Sequence, residues 1–237
     1  MNKKMGVINI TPDSFSDGNE YNQQDRFAKK FQEISRWADI IDIGAESTAP
    51  FNSSISIDQE LSRFREIFYP YLDDHDDPQI TLSIDTYKIA VFKEVALKVK
   101  SQWPATKFIF NDVSGKVDKE LKKFIKDAPL DFTYVLSHNL APVREKTQEH
   151  MNFVNEQADS EFFNSLINHF EKSIEELTKL NQSFIVDPCF GFSKSRHQNH
   201  FLIKNFKTLL LHFPYNVTFI YGVSRNCLLY TSPSPRD

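Results

Sequence analysis

Short apolar runs alternate with longer amphipathic stretches along the 237 residues of the chain. The short runs are rich in β-branched and aromatic residues, as buried strands are, and the longer stretches repeat apolar residues every three or four positions, as helices do. The pattern predicts strands at 6–10, 39–43, 80–84, 107–111, 131–137, 183–187 and 216–222. It predicts helices at 23–37, 58–71, 88–100, 118–126, 157–180 and 197–213.

This alternation predicts parallel strands, because a helix makes each chain reversal. Two α/β architectures are compatible with it, an open doubly wound sheet and a closed (β/α)₈ barrel. Polar residues follow nearly every predicted strand, and a barrel brings all such strand ends onto one face, whereas an open sheet gathers only those near its switch point. The pattern therefore favours the barrel, and no glycine-rich dinucleotide fingerprint follows the first strand.

Composition narrows the class of protein. Hydrophobic residues make up 40% of the chain and charged residues 25%, which predicts a folded globular domain. The formal charge of −4, with scattered Lys and Arg, argues against a nucleic-acid partner. No apolar run is long enough for a signal peptide or a membrane span. The two cysteines have no metal-ligand or disulfide spacing, so we expect a cytoplasmic protein.

Carboxylates and amides at the predicted strand ends are the strongest candidate site residues. Asp42, Asp85 and Asp187 lie in or directly after apolar runs, where a carboxylate is costly unless it is paired or hydrogen-bonded. With Asn111 they suit a flat heterocycle that presents several N–H donors, although they would also suit a metal cluster, and Asp85 alone could be a helix cap. Asn9 could offer its amide oxygen to Mg²⁺ or pin the next turn.

Two loops combine polar and aromatic residues. "TPDSFSDG" after the first strand has the length, glycine and hydroxyls of a lid over a polar or anionic ligand, and Phe15 is its one large apolar residue. "DPCFGFSKS" places Phe192 beside Lys194, a combination that can hold an aromatic acid, or that packs under the rim of the barrel. His197 and His200 lie on a predicted helix, where we expect solvent exposure rather than metal binding.

Six ordered motifs resemble dihydropteroate synthase, a pterin-binding barrel family of folate biosynthesis. The loops at residues 9–18, 42–50, 83–88, 110–115, 187–194 and 222–226 resemble its "NxTPDSFSDGG", "DxGGESTRPG", "SIDTxKP", "INDxSG", "DPGFGFGK" and "GxSRK". The resemblance covers about residues 5–226. The motifs "NxTPDSFSDGG" and "DPGFGFGK" are highly specific for the family. The resemblance implies a (β/α)₈ TIM barrel, here incomplete, with about seven strands present and the eighth strand and last helices missing.

The resemblance also implies an activity and a set of residue roles. The family condenses a pterin-methyl diphosphate with 4-aminobenzoate, and magnesium-bound diphosphate leaves first to give a pterin cation. Asn9 would bind Mg²⁺, and Asn9, Asp85 and Asp187 would be catalytic. Other residues would contact substrate, either in the pterin pocket, in the lid at 11–18, in the aminobenzoate pocket or at the anion: Asp13, Phe15, Asp42, Thr48, Pro50, Asn111, Phe192, Lys194, Ser224 and Arg225. The partners would be these small molecules and a second copy in a homodimer, without nucleic acid or membrane.

The chain departs from the family pattern in its second and sixth loops and at its end. Ala49 stands where the pattern has Arg, which removes an anion contact, and Phe51, Cys189 and Ser193 stand where it has glycine. The tail "CLLYTSPSPRD" resembles the in-frame translation of a sequencing adaptor. We therefore expect a truncated pterin-binding domain at 1–226 and a non-native tail at 227–237. We expect this 237-residue chain to be inactive or poorly folded, and the full-length protein to be an enzyme.

Two other functions fit part of the pattern. A methyltetrahydrofolate methyltransferase would share the pterin-binding acids, but it has no diphosphate for the "TPDSFSDG" lid to cover. A pterin-binding paralogue without catalytic activity is compatible with Ala49 in place of the arginine.

Overall fold

A computed structural model describes residues 2–11, 23–47 and 53–222. Its strands are β1 (Met5–Asn9), β2 (Ile40–Gly44), β3 (Thr81–Asp85), β4 (Lys107–Asp112), β5 (Phe132–Ser137) and β6 (Phe184–Asp187). Its helices are α1 (Gln23–Ser35), α2 (Ile57–Arg63), α3 (Tyr69–Asp74), α4 (Ile89–Gln102), α5 (Lys119–Asp127), α6 (Asp159–Lys179) and α7 (Arg196–His212). Within the described part, no helix has both the length and the apolarity to cross a bilayer.

The chain divides into two compact units. The first comprises Met1–Thr48, Asn52–Asn111 and Ala128–Thr133, and the second comprises Ala49–Phe51, Asp112–Asp127 and Tyr134–Asp237. In the first unit β1, β2, β3 and β4 pair in parallel in that order. In the second unit β5 pairs in parallel with β6. Strands therefore alternate with helices and pair in parallel, as the sequence pattern predicts.

The core of the first unit is an aromatic cluster between the helices. Phe27 and Phe31 of α1 pack against Tyr71 of α3, with ring centroids 5.5 and 4.7 Å apart. Phe31 also contacts Trp103, whose ring nitrogen donates to the His75 carbonyl at 2.8 Å. The residues Phe27, Phe31, Tyr71 and Trp103 are each at least nine-tenths buried. Burial of apolar surface therefore holds the amphipathic faces of α1 and α3 together.

The predicted helix at 58–71 is interrupted. Between α2 and α3, residues Phe64–Phe68 form a π-helical turn. Pro70 follows, and it has no N–H with which to continue the i→i−4 bonds, so the backbone rearranges upstream of it. The side-chain amide of Gln24 donates to the Glu66 carbonyl at 2.8 Å and satisfies the acceptor that Pro70 leaves open.

In the second unit, α6 is the helix that the sequence predicts most clearly, and its apolar face is buried. Phe162, Leu166, Phe170 and Leu177 are at most 4% exposed, whereas Ile174 lines a surface groove. The seventh predicted strand is shorter than expected, because its pairing among the described residues is one bridge between Val186 and Phe219.

A 3-10 helix at Arg144–Phe153 was not predicted. This segment of ten residues follows β5, and its sequence "REKTQEHMNF" has no strong apolar period from which an element could be recognised. Its buried residues are mostly polar, Arg144, Thr147, Gln148 and His150, so it is fixed by hydrogen bonds and ion pairs rather than by an apolar face.

Candidate functional site

Three predicted site residues of the first unit lie in one row at the carboxyl ends of its strands. Asn9 is in register with Gly44, Gly44 with Asp85, and Asp85 with Asn111. Asn9 is exposed, and Asp85 and Asn111 are half-buried, so a ligand at this edge could reach all three. The register brings them together because the strands are parallel and end at the same level.

Asp42 lies two residues before the end of β2 and is only 3% exposed. The Asn111 amide donates to Asp42 Oδ1 at 3.1 Å. This bond fixes which end of the Asn111 amide is the donor, and it leaves the amide oxygen of Asn111 as an acceptor. Asp42 therefore orients the Asn111 amide.

Gly44 is a site residue that the sequence reasoning missed. A Cβ at this position would lie 3.1 Å from Asp85 Oδ2 and 3.2 Å from Asp85 Cβ. The absence of a side chain therefore leaves room for the Asp85 carboxylate beside β2. The signal in the sequence was a glycine that directly ends an apolar strand.

A buried ionic cluster lies beside the two ends of the loop that connects β2 to α2. Lys88 Nζ is paired with the carboxylates of Glu46 and Glu60, at 2.7 Å from Glu60 Oε2, and Glu46 Oε1 accepts the Ile55 N–H at 2.9 Å. Desolvation raises the pKa of Glu60, against the opposing attraction of Lys88. Glu46 thus joins the residues before the loop to those after it.

In the second unit, Asp187 ends β6 and begins the sixth loop. Its Oδ1 accepts the backbone N–H of Cys189 at 2.7 Å, and its carbonyl accepts the His138 N–H at 3.0 Å. Burial raises the pKa of Asp187, and the Cys189 N–H opposes this change. The Cys189 bond orients the carboxylate beyond the strand end.

Lys194 is fully buried and its ammonium is saturated by backbone carbonyls. Nζ lies 2.9 Å from the Phe192 carbonyl, 3.0 Å from that of Cys189 and 3.2 Å from that of His138. Burial lowers the pKa of Lys194 to about 8. Lys194 therefore fastens the sixth loop in this structure, and the predicted contact with substrate would require Nζ to exchange a carbonyl for the ligand.

Arg144 was missed by the sequence reasoning and holds the fourth loop. Its guanidinium pairs with Asp112, and it donates to Asp118 Oδ2 at 3.1 Å and to the Lys116 carbonyl at 2.8 Å. Tyr134 adds a 2.9 Å bond to Asp112. Burial alone would lower the pKa of Arg144, but Asp112 and its other neighbours raise it. The loop after β4 is thus built on a buried charged network.

His138 and His169 form a buried pair of imidazoles, with ring centroids 4.9 Å apart. Burial, reinforced by Lys194, lowers the pKa of His138 well below its ordinary value. Burial and Lys116 lower the pKa of His169 to about 4. Both rings are therefore neutral in the folded protein at neutral pH.

We expect this pair to make the protein sensitive to mild acid. As the pH falls below 6.5, the ordinary pKa of histidine, His169 becomes protonated in the unfolded chain. In the folded chain it stays neutral until about pH 4, because burial has lowered its pKa to that value. Stability is thus present above pH 6.5 and is lost between 6.5 and 4. Urea unfolding should show wild type losing about 2 kcal/mol more than His169→Gln over this range. Equal losses in the two proteins would contradict the assignment.

The remaining predicted site residues lie outside the described part of the chain. They are Asp13, Phe15, Thr48, Pro50, Ser224 and Arg225, and the departures Ala49 and Phe51 lie there too. His197 and His200 are exposed, as expected, and His197 is paired with Asp159 at 2.7 Å. Among the described residues, no three His, Cys, Asp or Glu side chains are grouped as metal ligands.

Two curated relatives of this chain are dihydropteroate synthases. The chain is 34% identical over 200 residues to dihydropteroate synthase of Clostridium beijerinckii, which covers 82% of this chain and 65% of that protein. It is 31% identical over 226 residues to the Streptococcus pyogenes serotype M1 enzyme, covering 93% of this chain and 74% of that protein. The chain thus spans just under two thirds of the first of these relatives.

Solved structures give the same result. The dihydropteroate synthase from Clostridium difficile, solved in the presence of pteroic acid, aligns with a TM-score of 0.69 and 31% identity, covering 94% of this chain and 77% of that one. The Anaplasma phagocytophilum enzyme, with bound 6-hydroxymethylpterin-monophosphate, aligns with a TM-score of 0.68 and 26% identity, covering 94% and 79%. These similarities confirm the predicted α/β class, whose form in these neighbours is the TIM barrel.

A family comparison gives the widest coverage. The family described as "Pterin binding enzyme" matches residues 5–234. The polar row of β1 to β4 and the sixth loop both fall inside this match. The chain therefore belongs to the pterin binding enzyme family, and its relatives named above are dihydropteroate synthases.

Proposed function

We propose that this chain is part of a dihydropteroate synthase, which condenses 6-hydroxymethyl-7,8-dihydropterin diphosphate with 4-aminobenzoate and releases diphosphate. The observation that carries the proposal is the in-register row of Asn9, Asp85 and Asn111, with Asp42 bonded behind it. The family membership and the substrates present in the related structures support the same reaction.

The chemistry of these side chains suits a pterin. A pterin presents ring N–H and amino donors along one edge, and the carboxylates of Asp85 and Asp187 are acceptors that form strong, charge-assisted bonds with such donors. The Asn111 amide oxygen is a further acceptor, because its nitrogen is engaged by Asp42. Negative charge near the pterin would also stabilise the positive charge that develops on it when diphosphate leaves.

Asn9 is the residue that would hold Mg²⁺. Its exposed amide at the end of β1 offers the oxygen donor that this ion prefers, and Mg²⁺ is commonly bound by few protein ligands together with phosphate oxygens and water. The residues present therefore fit the ion. When bound, it would neutralise charge on the leaving diphosphate. Asn9 would orient that group, and the loop at 11–18 would cover it.

Phe192 and the sixth loop would hold the second substrate. The Phe192 ring is half-buried, and the backbone beside it is fixed by Lys194. The proposal also includes Thr48, Pro50, Phe15, Ser224 and Arg225 as contacts to substrate. It further includes a homodimeric full-length protein and a cytoplasmic location.

A pterin-binding protein without catalytic activity is the second candidate, and Ala49 in place of the family's arginine favours it. Calorimetry on the full-length protein separates the two. A synthase should bind the pterin, and it should bind 4-aminobenzoate only when Mg²⁺ and diphosphate are also present. Pterin binding without this conditional binding of 4-aminobenzoate would identify the paralogue, and the absence of pterin binding by folded protein would contradict both.

We expect Gly44→Ala to weaken pterin binding. The new Cβ would lie 3.1 Å from Asp85 Oδ2, so the carboxylate must shift by a few tenths of an ångström. Since small misplacements of a positioned group are costly, the dissociation constant for 6-hydroxymethylpterin should rise roughly tenfold, as measured by calorimetry. His197→Gln is the control, because it changes an exposed side chain on α7. Unchanged affinity in Gly44→Ala would show that the position of Asp85 is not critical.

A further inference from the structure

Ser193 has a strained backbone, and its hydroxyl lies within hydrogen-bonding distance of three groups. Its φ of 49° lies in the left-handed region, which costs a residue with a side chain about 1 kcal/mol. Its Oγ accepts the Leu140 N–H at 3.0 Å, and it lies 3.0 Å from the His150 carbonyl and 3.3 Å from Asn139 Oδ1, to either of which it can donate. Two net hydrogen bonds of about 1 kcal/mol each offset the strain.

The His150 ring packs against one face of Phe192, the residue before Ser193. The two rings are stacked, with centroids 4.3 Å apart and planes inclined by 27°. His150 Nδ1 accepts the Ser193 N–H at 3.3 Å, so the ring is oriented by the same loop that it supports. His150 is 1% exposed, whereas Phe192 is half-buried.

These contacts join the sixth loop to the 3-10 helix after β5. Ser193 is held through both its backbone and its hydroxyl, and Phe192 is held through its ring. Lys194 independently fixes the backbone, because it donates to the carbonyls of Phe192 and Cys189. Loss of the imidazole should therefore free the Phe192 ring without releasing the loop.

We propose that His150 and Ser193 are positioning residues that hold the Phe192 ring as a fixed wall for a planar aromatic acid. The proposal rests on the proposed function, in which Phe192 contacts 4-aminobenzoate. With one face of Phe192 covered by His150, the ligand meets the other face or the ring edge. A fixed ring loses less entropy when the ligand binds, so the pair would act on affinity for the aromatic acid and not on affinity for the pterin.

The test compares His150→Ala and His150→Phe with wild type, with His197→Gln as the matched control. His197 is an exposed histidine at the start of α7, outside the proposed site. Calorimetry on the full-length protein gives separate dissociation constants for 6-hydroxymethylpterin and, with Mg²⁺ and diphosphate present, for 4-aminobenzoate. We expect His150→Ala to raise the 4-aminobenzoate constant about three- to tenfold and leave the pterin constant unchanged. His150→Phe keeps a ring behind Phe192 and should lose less.

The proposal would be overturned if His150→Ala raised the dissociation constants for both ligands equally, or if it raised neither. Amide hydrogen exchange supplies a readout that needs no ligand. Ser193→Ala should accelerate exchange at the Leu140 amide, and His150→Ala should accelerate it at the Ser193 amide, and unchanged rates would also overturn the proposal. If full-length wild-type protein binds neither ligand, the proposed function fails, and the exchange rates alone decide whether His150 and Ser193 hold the Phe192 ring in place.

Discussion

Arg144→Met is expected to lower the free energy of unfolding by about 3–5 kcal/mol. The substitution removes the partner of Asp112, which is fully buried, and leaves an uncompensated carboxylate in the interior. Arg144 itself is 6% exposed, so water cannot easily replace the guanidinium. Methionine keeps much of the side-chain volume, which makes the lost charge the main effect. Urea unfolding followed by circular dichroism measures the change.

Two further variants make this result interpretable. Arg144→Met combined with Asp112→Asn removes both charges but keeps an acceptor for the Ser114 N–H, so it should recover part of the loss. Arg65→Met removes an exposed arginine paired with Glu94 at 2.5 Å, and no measurable change is expected. If Arg144→Met were as stable as wild type, the buried network would not be what holds the fourth loop.

Gly115→Ala is expected to destabilise the protein by about 2–4 kcal/mol. An added Cβ would lie 1.7 Å from the Ser137 carbonyl oxygen, a backbone atom that cannot turn aside. Gly115 also has a φ of +61°, which favours glycine. The loop after β4 and the end of β5 would have to separate, which would also disturb the Asp112 network beside them.

Gly222→Ala is the matched control for this substitution, because its Cβ would meet no atom of the described residues within 4 Å. It should unfold at the same urea concentration as wild type. A Gly115→Ala variant that did so as well would show that the backbone approach of Gly115 to Ser137 can relax at little cost.

Much of this fold is local in origin, and the sequence could predict it for that reason. The helix predicted at 157–180 is observed at Asp159–Lys179, since its apolar residues recur with helical period along one face. Each of α2 and α7 begins with a capping box, in which Ser56 or Ser195 bonds the backbone of a glutamine three residues later. Such signals lie within a few residues of the element that they define.

The features that were missed depend on partners far along the chain. Arg144 contacts Asp112 across 32 positions, and neither periodicity nor a motif marks such a pair. The 3-10 helix that carries Arg144 has no apolar face to reveal it. The π-helical turn arises from Pro70, but the side chain of Gln24 that satisfies the freed carbonyl is 42 residues from Glu66.

The candidate site shows the same division. Asp42, Asp85, Asn111 and Asp187 could be named because they lie in or directly after apolar runs, and parallel pairing puts Asp85 and Asn111 at one edge, with Asp42 two residues before it. Gly44 and His150 were not named, since their roles depend on the Asp85 carboxylate and the Phe192 ring, which lie on other elements. Polar residues in or directly after apolar runs are therefore easier to find in a sequence than residues whose roles depend on a contact with another element.

Titration with 6-hydroxymethylpterin tests the central claim, that the strand ends of this chain form a pterin site. Folded wild-type protein should bind it saturably, and Asp85→Asn should raise the dissociation constant roughly ten- to hundredfold, because an acceptor for charge-assisted hydrogen bonds is lost. His197→Gln, which changes an exposed side chain on α7, should bind as wild type does. No binding by folded wild-type protein, or equal binding by Asp85→Asn, would contradict the account.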